Sequence, residues 1–379
     1  MSEDIKVSVF CTTYNQEKYI SRALESLVRQ KTNFEFEILV HDDCSLDRTI
    51  EIIENYAQRY PQLIIPIYEK QNQYTIGNDI FWNICIPKAR GKYIAICEGD
   101  DFWLDDQKLQ VQFDAMEKNP EVNMCVCRAA VVTASDEREI DEIRPKKENS
   151  VLSTEEVILG GGRYIATATH FFKKSLFISK LNYEKVISFD YTKQIKGSLG
   201  KGILYIDRKM AAYRKDAENS WSLNVEKNKE KRTQHLQKEI AMLRELDKET
   251  NLQYHDAIQK RSMSYRPFIE QIRDKRVEIL AELQKIKKPV YIWGLGMRGN
   301  ACQEFCREEA VQINGICDIR NDCVGEKTSY GYMIEDTRKV LEEANSIIAT
   351  NDNIYEVLKD MNYKGNIWRL QKYIPLSKN

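Results

Sequence analysis

Three carboxylates stand within four residues in Glu98-Gly99-Asp100-Asp101, after the apolar run YIAIC and before the aromatics Phe102 and Trp103. Charges of one sign that close disfavour each other's ionisation, and burying them without a partner is costly. One chemistry that resolves the conflict is a hard divalent cation such as Mg2+ or Mn2+, which takes oxygen ligands and bridges one or two carboxylates to a phosphate. The other reading is a solvated acidic turn ahead of a helix starting near Asp105, where negative charge meets the positive helix end. A short acidic motif does not by itself choose between the two. Two more polar clusters stand nearby in character: TTYN (Thr12, Thr13, Tyr14, Asn15) and HDDCS, with the pair Asp42 and Asp43.

Each cluster directly follows a strand-like segment. KVSVFC is a short apolar run, and EKYISRALESLVRQ behind it carries Ile20, Ala23, Leu24, Leu27 and Val28 at helical spacing. FEILV is followed by SLDRTIEIIENYAQRY, with Ile53, Ala57 and Tyr60 as its stripe, and LIIPIYE and KYIAIC read as further buried strands. Strand and helix alternating in this way predict a mostly parallel sheet covered on both faces. Ligands bind such sheets beyond the carboxyl ends of the strands, so the three polar clusters are expected along one crevice. Downstream, LDDQKLQVQFDAMEKNP predicts a helix closed by Pro120, VNMCVCRAAVV a strand, SDEREIDEIRPKKENS a charged loop, and STEEVILGGG a short capped helix.

Lys and Arg (57) nearly cancel Asp and Glu (58), which gives no bulk attraction to nucleic acid or to an anionic membrane. No apolar stretch approaches the ~20 residues of a membrane span, and the acidic start MSEDIKVSVF does not read as a secretory signal. A cytoplasmic protein is expected, with peripheral contact at the inner face of a membrane left open. Of the ten cysteines, Cys11, Cys85, Cys97, Cys125 and Cys127 lie in apolar runs and read as buried hydrophobes of a reducing compartment. Cys302, Cys306, Cys317 and Cys323 lack paired zinc-site spacing.

The stretches VSVFCTTYNQEKYISRALESLVRQ, FEFEILVHDDCSLDRTIEII, ARGKYIAICEGDDFWLDDQKLQ and NPEVNMCV stand in the order and spacing of the family 2 glycosyltransferases. Roughly the first 220 residues resemble that family, and four ordered motifs are specific where one is not. The resemblance implies a GT-A fold and inverting transfer from a nucleotide-sugar. Without a Gln-Arg-Trp signature or membrane spans, the chain does not resemble the processive synthases. Carried over to this sequence, the resemblance implies that Thr12, Thr13 and Tyr14 frame the nucleotide and that Asp43, with Asp42 beside it, meets the base. Glu98, Asp100 and Asp101 occupy the metal and diphosphate motif, with Glu in place of its first aspartate. Asp190, in VISFDYTKQIKGSLGKGILYID, stands at the place of the general base, with Phe189 as an unusual neighbour; a helix cap is the other reading. Asp216 stands where relatives carry a metal-binding His after a Tyr-Arg pair, and Arg214 with Lys215 could instead neutralise diphosphate. Trp221 reads first as packing and second as sugar stacking, His41 as a packed neighbour, and His170 as an acceptor contact.

Residues 225–288 shift to Lys, Glu, Gln, Arg and Leu, with Leu236, Ile240 and Leu243 on one helical face and Ile269, Ile272, Ile279 and Leu283 on another after Pro267. A helical connector packing its stripe on a neighbour is expected, and a membrane-surface helix is the sharper alternative. VYIWGLGMRGN then places Gly294, Gly296 and Gly299 between a strand and a helix, with Asp318 ending the next strand. That is the context of a dinucleotide fingerprint, and the segment resembles small Rossmann-like domains of polysaccharide-biosynthesis proteins. Either the glycines bind NAD(P) or another nucleotide, or they only allow tight strand–helix packing. The expected organisation is thus α/β throughout: a GT-A type domain at 1–224, a helical connector at 225–288 and a small Rossmann-like α/β domain at 289–379. The expected function is metal-assisted hexosyl transfer from a UDP-sugar to a hydroxyl of a glycan or lipid-linked acceptor. The alternatives are a non-catalytic scaffold of the same fold with a nucleotide-sensing second domain, and an NAD(P)-dependent oxidoreductase.

Overall fold

A computed structural model describes residues 5–187, 189–319 and 323–374. The chain divides into two compact units, the first reaching Arg261 and the second beginning at Ser262.

In the first unit the alternating apolar runs become strands β1 (Val7–Thr13), β2 (Phe36–Asp42), β3 (Ile64–Tyr68) and β4 (Tyr93–Ile96), paired in parallel in the order β3-β2-β1-β4. Their connections include the helices Ile20–Val28 and Thr49–Arg59, whose stripes (Ile20, Ala23, Leu24 and Leu27; Ile53 and Tyr56) are buried in the core of the sheet. Then follow β5 (Phe102–Trp103), β6 (Met124–Thr133), β7 (Glu139–Ile143), β8 (Ser150–Leu152), β9 (Phe171–Lys173) and β10 (Ile203–Lys215). They extend the sheet beyond β4 as β9-β6-β10-β5, with β7 on β6 and β8 on β10. β9 runs antiparallel to both β4 and β6, so the far half of the sheet is mixed.

The charged stretch expected to be a loop instead holds β7, which pairs antiparallel with β6. Its charged side chains sit at the accessible margin, where no apolar alternation is needed to hold a strand and the partner's ladder supplies the stability. The short helix Thr154–Gly160 forms as expected, closed by a capping box between Ser153 and Glu156. The first part of the connector, Lys229–Glu249, packs against the helix Asn182–Val186 and buries Met242, Leu243 and Leu246, and the Glu249 carboxylate accepts the Asn182 and Tyr183 N–H groups.

The second unit has a parallel sheet of β11 (Val290–Trp293), β12 (Gly315–Cys317), β13 (Ser346–Ala349) and β14 (Asn366–Arg369) in the order β12-β11-β13-β14. Helices Phe268–Asp274 and Arg276–Leu283 bury Ile272 and Ile279 in its core, so the two ends of the connector serve different units. No helix among the described residues is long and apolar enough to cross a membrane.

Candidate active site

Parallel pairing brings three strand exits together, and backbone hydrogen bonds join them: Asp43 N–H donates to the Thr13 carbonyl, Gly99 N–H to the Thr12 carbonyl and Cys97 N–H to the Phe10 carbonyl. Gly99 is where the acidic loop touches β1. A Cβ there would lie 2.5 Å from Gln16 Oε1 and 2.8 Å from Thr13 Cβ, so only glycine lets the carboxylates sit this close to the first exit.

On the first exit Thr13 is buried, donating to Gln16 Oε1 at 2.8 Å, while Thr12 is half-buried and the Tyr14 ring is exposed. On the second, buried Asp42 accepts from the Ser45 N–H and hydroxyl, and buried Asp43 accepts from the Gln73 N–H at 2.6 Å and the Tyr74 N–H at 3.1 Å. Both acids therefore shape their loops first. Carboxylate oxygens have further lone pairs, so a ligand contact by Asp43 is additional to this work. His41 is buried and packed, with Nε2 3.5 Å from Glu69 Oε1, and burial lowers its pKa.

The third exit carries the acids. Asp101 is 2% exposed; one oxygen accepts the Arg214 N–H at 2.8 Å and the other has no hydrogen-bond partner. Burial raises the pKa of Glu98, Asp100 and Asp101, and mutual repulsion adds to the rise at Glu98 and Asp101. The Thr167 hydroxyl donates to Asp190, and the carbonyl of the next residue, Ala168, accepts the Trp103 indole N–H from the end of the acidic loop, so Asp190 stands near the acids and its charge adds to the rise at Glu98. No group of three or more His, Cys, Asp or Glu side chains among the described residues forms a ready metal cage. A cation completed by substrate phosphates needs only one or two carboxylates, and the orphaned Asp101 oxygen amid repelling acids fits such a guest.

Asp190 opens the helix Asp190–Ser198. Its carboxylate is 35% exposed, accepts the Thr167 hydroxyl at 2.7 Å and lies 3.3 Å from the Lys193 ammonium. Burial pulls its pKa up, but the Lys193 ammonium and the Thr167 hydroxyl outweigh it and hold the pKa below the usual range. These partners, rather than the N–H groups of its own helix, define its setting. Neither Lys193 nor Thr167 stands out in the sequence, although Lys193 lies one helical turn from Asp190.

Several expected contacts are corrected. Arg214 does not face the crevice: it is 3% exposed, donates to the Asp100 carbonyl at 2.8 Å and to Glu137 Oε1 at 2.8 Å, and lies over the Tyr19 and Phe102 rings. A guanidinium so committed braces the acidic loop from behind instead of meeting diphosphate. Asp216 is exposed on a left-handed turn (φ 58°) and is not gathered with the acids into a metal-holding group among the described residues. His170 is fully buried, and burial lowers its pKa to about 3, so it is a neutral core residue and no acceptor contact. Trp221 does pack, edge to face on His235, and its Nε1 donates to the Tyr74 hydroxyl, yet it stays 45% exposed.

In the second unit, Gly294 (φ 126°) and Gly299 are demanded by packing: a Cβ on Gly299 would fall 1.8 Å from the Gly294 carbonyl oxygen. Gly296 has open space around it. Asp318 accepts the Leu295 N–H at 2.8 Å, so its carboxylate ties down the glycine loop.

Residues 8–221 match the family described as glycosyl transferase family 2. The chain belongs to that family. Among curated relatives, an uncharacterised protein of Mycobacterium tuberculosis is 31% identical over 215 residues, 57% of this chain and 60% of that protein. The chain thus spans less than two thirds of this relative's length. The poly(ribitol-phosphate) beta-N-acetylglucosaminyltransferase TarS of Staphylococcus aureus is 33% identical over 99 residues, 26% of this chain and 17% of TarS. The crystal structure of TarS 1–349 in complex with UDP-GlcNAc superposes with a TM-score of 0.51 at 18% identity, covering 80% of this chain and 81% of that one. The shared fold is that of GT-A glycosyltransferases, followed in this family 2 member by a second, small parallel sheet. All three strand exits and Asp190 lie inside the matched residues; the glycine loop lies outside them.

Proposed function

We propose that this chain is an inverting glycosyltransferase that moves a hexosyl group from a nucleoside-diphosphate sugar to a hydroxyl of a glycan or lipid-linked acceptor. One observation carries the reading: Asp190, whose pKa is held below the usual range, is tied through Thr167 to the segment that also receives Trp103 from the acidic loop, where a buried Asp101 oxygen has no hydrogen-bond partner. An acceptor hydroxyl is a poor nucleophile until a base takes its proton. Asp190, oriented by Thr167 and Lys193, takes that proton as the acceptor oxygen attacks the anomeric carbon from the face opposite the departing diphosphate. The carbon–oxygen bond to the acceptor forms, the bond to the β-phosphate oxygen breaks, and the anomeric configuration inverts. Asp101 and Asp100, with Glu98, would hold Mg2+ or Mn2+, which supplies charge neutralisation for the leaving diphosphate. Thr12, Thr13 and Tyr14 frame the nucleotide, with Asp43 toward the base. Uridine is the favoured base because TarS, a relative in sequence and fold, is named for an N-acetylglucosaminyl transfer and was crystallised with UDP-GlcNAc.

Calorimetric titration of UDP, GDP and CMP with and without Mn2+, on the parent and on Asp101→Ala, tests the reading. Mn2+-dependent binding of one nucleotide, lost in the variant, is expected. Should no nucleotide bind under either condition, the chain is a scaffold of the same fold and the acids are structural.

A further inference from the structure

Four aromatic groups from separate segments of the first unit form a continuous wall. The Phe189 ring, adjacent in sequence to Asp190, meets His235 edge to face at 5.2 Å and 84°, and His235 meets Trp221 at 4.9 Å and 72°. Trp221 Nε1 donates to the Tyr74 hydroxyl at 3.1 Å, and the Tyr74 N–H reaches Asp43. The wall therefore runs from the loop braced by Asp43 to the residue beside the proposed base. Its members are fixed in place. Ser220 caps the short helix that Trp221 opens, Tyr213 contacts Ser222 in its first turn, and Glu239 lies 3.7 Å from His235 one turn on. Yet Trp221 is 45% and Tyr74 64% exposed. Aromatic surface left in water forgoes about 25 cal/mol for each Å2 that could be buried, and contiguous exposed apolar surface rimmed by polar groups marks ligand-binding grooves.

We infer that this wall is an acceptor subsite and that its occupant is the C–H face of a neutral sugar ring. Asp190 takes a proton from the acceptor, so the acceptor lies against Asp190, and the wall begins at the adjacent residue. A pyranose ring offers an apolar face ringed by hydroxyls. The wall offers the exposed Trp221 and Tyr74 rings, with the Tyr74 hydroxyl, which accepts from Trp221, and the His235 imidazole as polar groups along it. Burial lowers the His235 pKa and favours its uncharged form, which suits a neutral polyol better than an anion. The inference rests on Asp190 being the base, and it goes beyond that reading by naming the acceptor's recognition chemistry.

The test uses the full chain with saturating UDP and Mn2+ and a panel of methyl pyranosides of glucose, galactose, mannose and N-acetylglucosamine. Saturation-transfer NMR and tryptophan fluorescence quenching report binding without needing turnover. At least one pyranoside is expected to bind through ring protons on one face. Trp221→Ala should weaken it about tenfold, whereas Trp221→Phe retains most of the affinity and both variants bind UDP like the parent. Three outcomes overturn the inference: no pyranoside binds the parent, Trp221→Ala binds pyranosides as well as the parent, or Trp221→Ala loses UDP instead, which would make the wall part of the donor site. Failure of nucleotide binding in the parent would count against the glycosyltransferase reading alone.

Discussion

Asp190 and Asp101 are both acids beside other charges, and their surroundings push them in opposite directions. The Asp190 pKa is held low, so the base is ready above that value and is lost as pH falls through it. Replacing Lys193 by Met removes the nearest cation and raises the pKa. The acidic limb of the kcat/KM–pH profile should then move to higher pH, with activity at high pH less affected. Asp190→Asn should lower transfer by about 10^2–10^4-fold, the usual range for a lost general base, and leave nucleotide titrations unchanged. The folded-state pKa of Asp101 is raised above its unfolded value, so its stability contribution is present at low pH and lost as pH rises. Asp101→Asn keeps an acceptor for the Arg214 N–H and removes that loss. It should therefore be more stable than the parent without metal, by a margin that grows with pH by up to about 1.4 kcal/mol per pH unit between the two pKa values. Thermal melts from pH 4 to 8 without cation measure this, and a constant margin would contradict it.

At the level of elements, the acidic loop depends on what lies in front of it and behind it. In front is the contact between Gly99 and β1. Gly99→Ala forces a Cβ against Gln16 and Thr13, and should abolish Mn2+-dependent nucleotide binding while the far half of the sheet keeps its hydrogen-exchange protection. Behind is Arg214, tied to the Asp100 carbonyl and to Glu137. Arg214→Ala removes the partner of the Asp100 carbonyl and of the half-exposed Glu137 carboxylate and should cost about 1–3 kcal/mol in chemical denaturation. Arg214→Lys recovers little of it, because an ammonium cannot reproduce the forked contacts.

The whole molecule has two units with separate hydrophobic cores, one centred on the β1–β4 sheet and the other on the β11–β14 sheet. A ligand that binds one folded unit stabilises that unit by mass action. UDP with Mn2+ is therefore expected to raise one calorimetric transition and leave a second in place, with hydrogen exchange slowed at residues 7–14, 41–45 and 96–101 and unchanged in β11–β14. Protection of the glycine loop instead would move the nucleotide site to the second unit.

What the sequence determined by itself was local. Apolar runs of four to seven residues and the stripe of Ile20, Ala23, Leu24 and Leu27 dictate strands and helices through near-neighbour periodicity. Polar clusters directly after such runs are bound to stand at strand exits, which made TTYN, HDDCS and EGDD legible as one crevice. The direction in which an individual side chain turns is not a local property. Arg214 and Asp216 are two residues apart in the chain, and only the packing of Tyr19, Phe102 and Glu137 draws the first inward while the second stays in water. His170 is buried because β9 is inserted between β4 and β6, and Trp221 stands half-exposed between Tyr74, 147 residues away, and the helix that carries His235. Contacts across such distances in sequence leave no periodic trace, so the tertiary structure alone decided which of the chemically capable residues face the crevice.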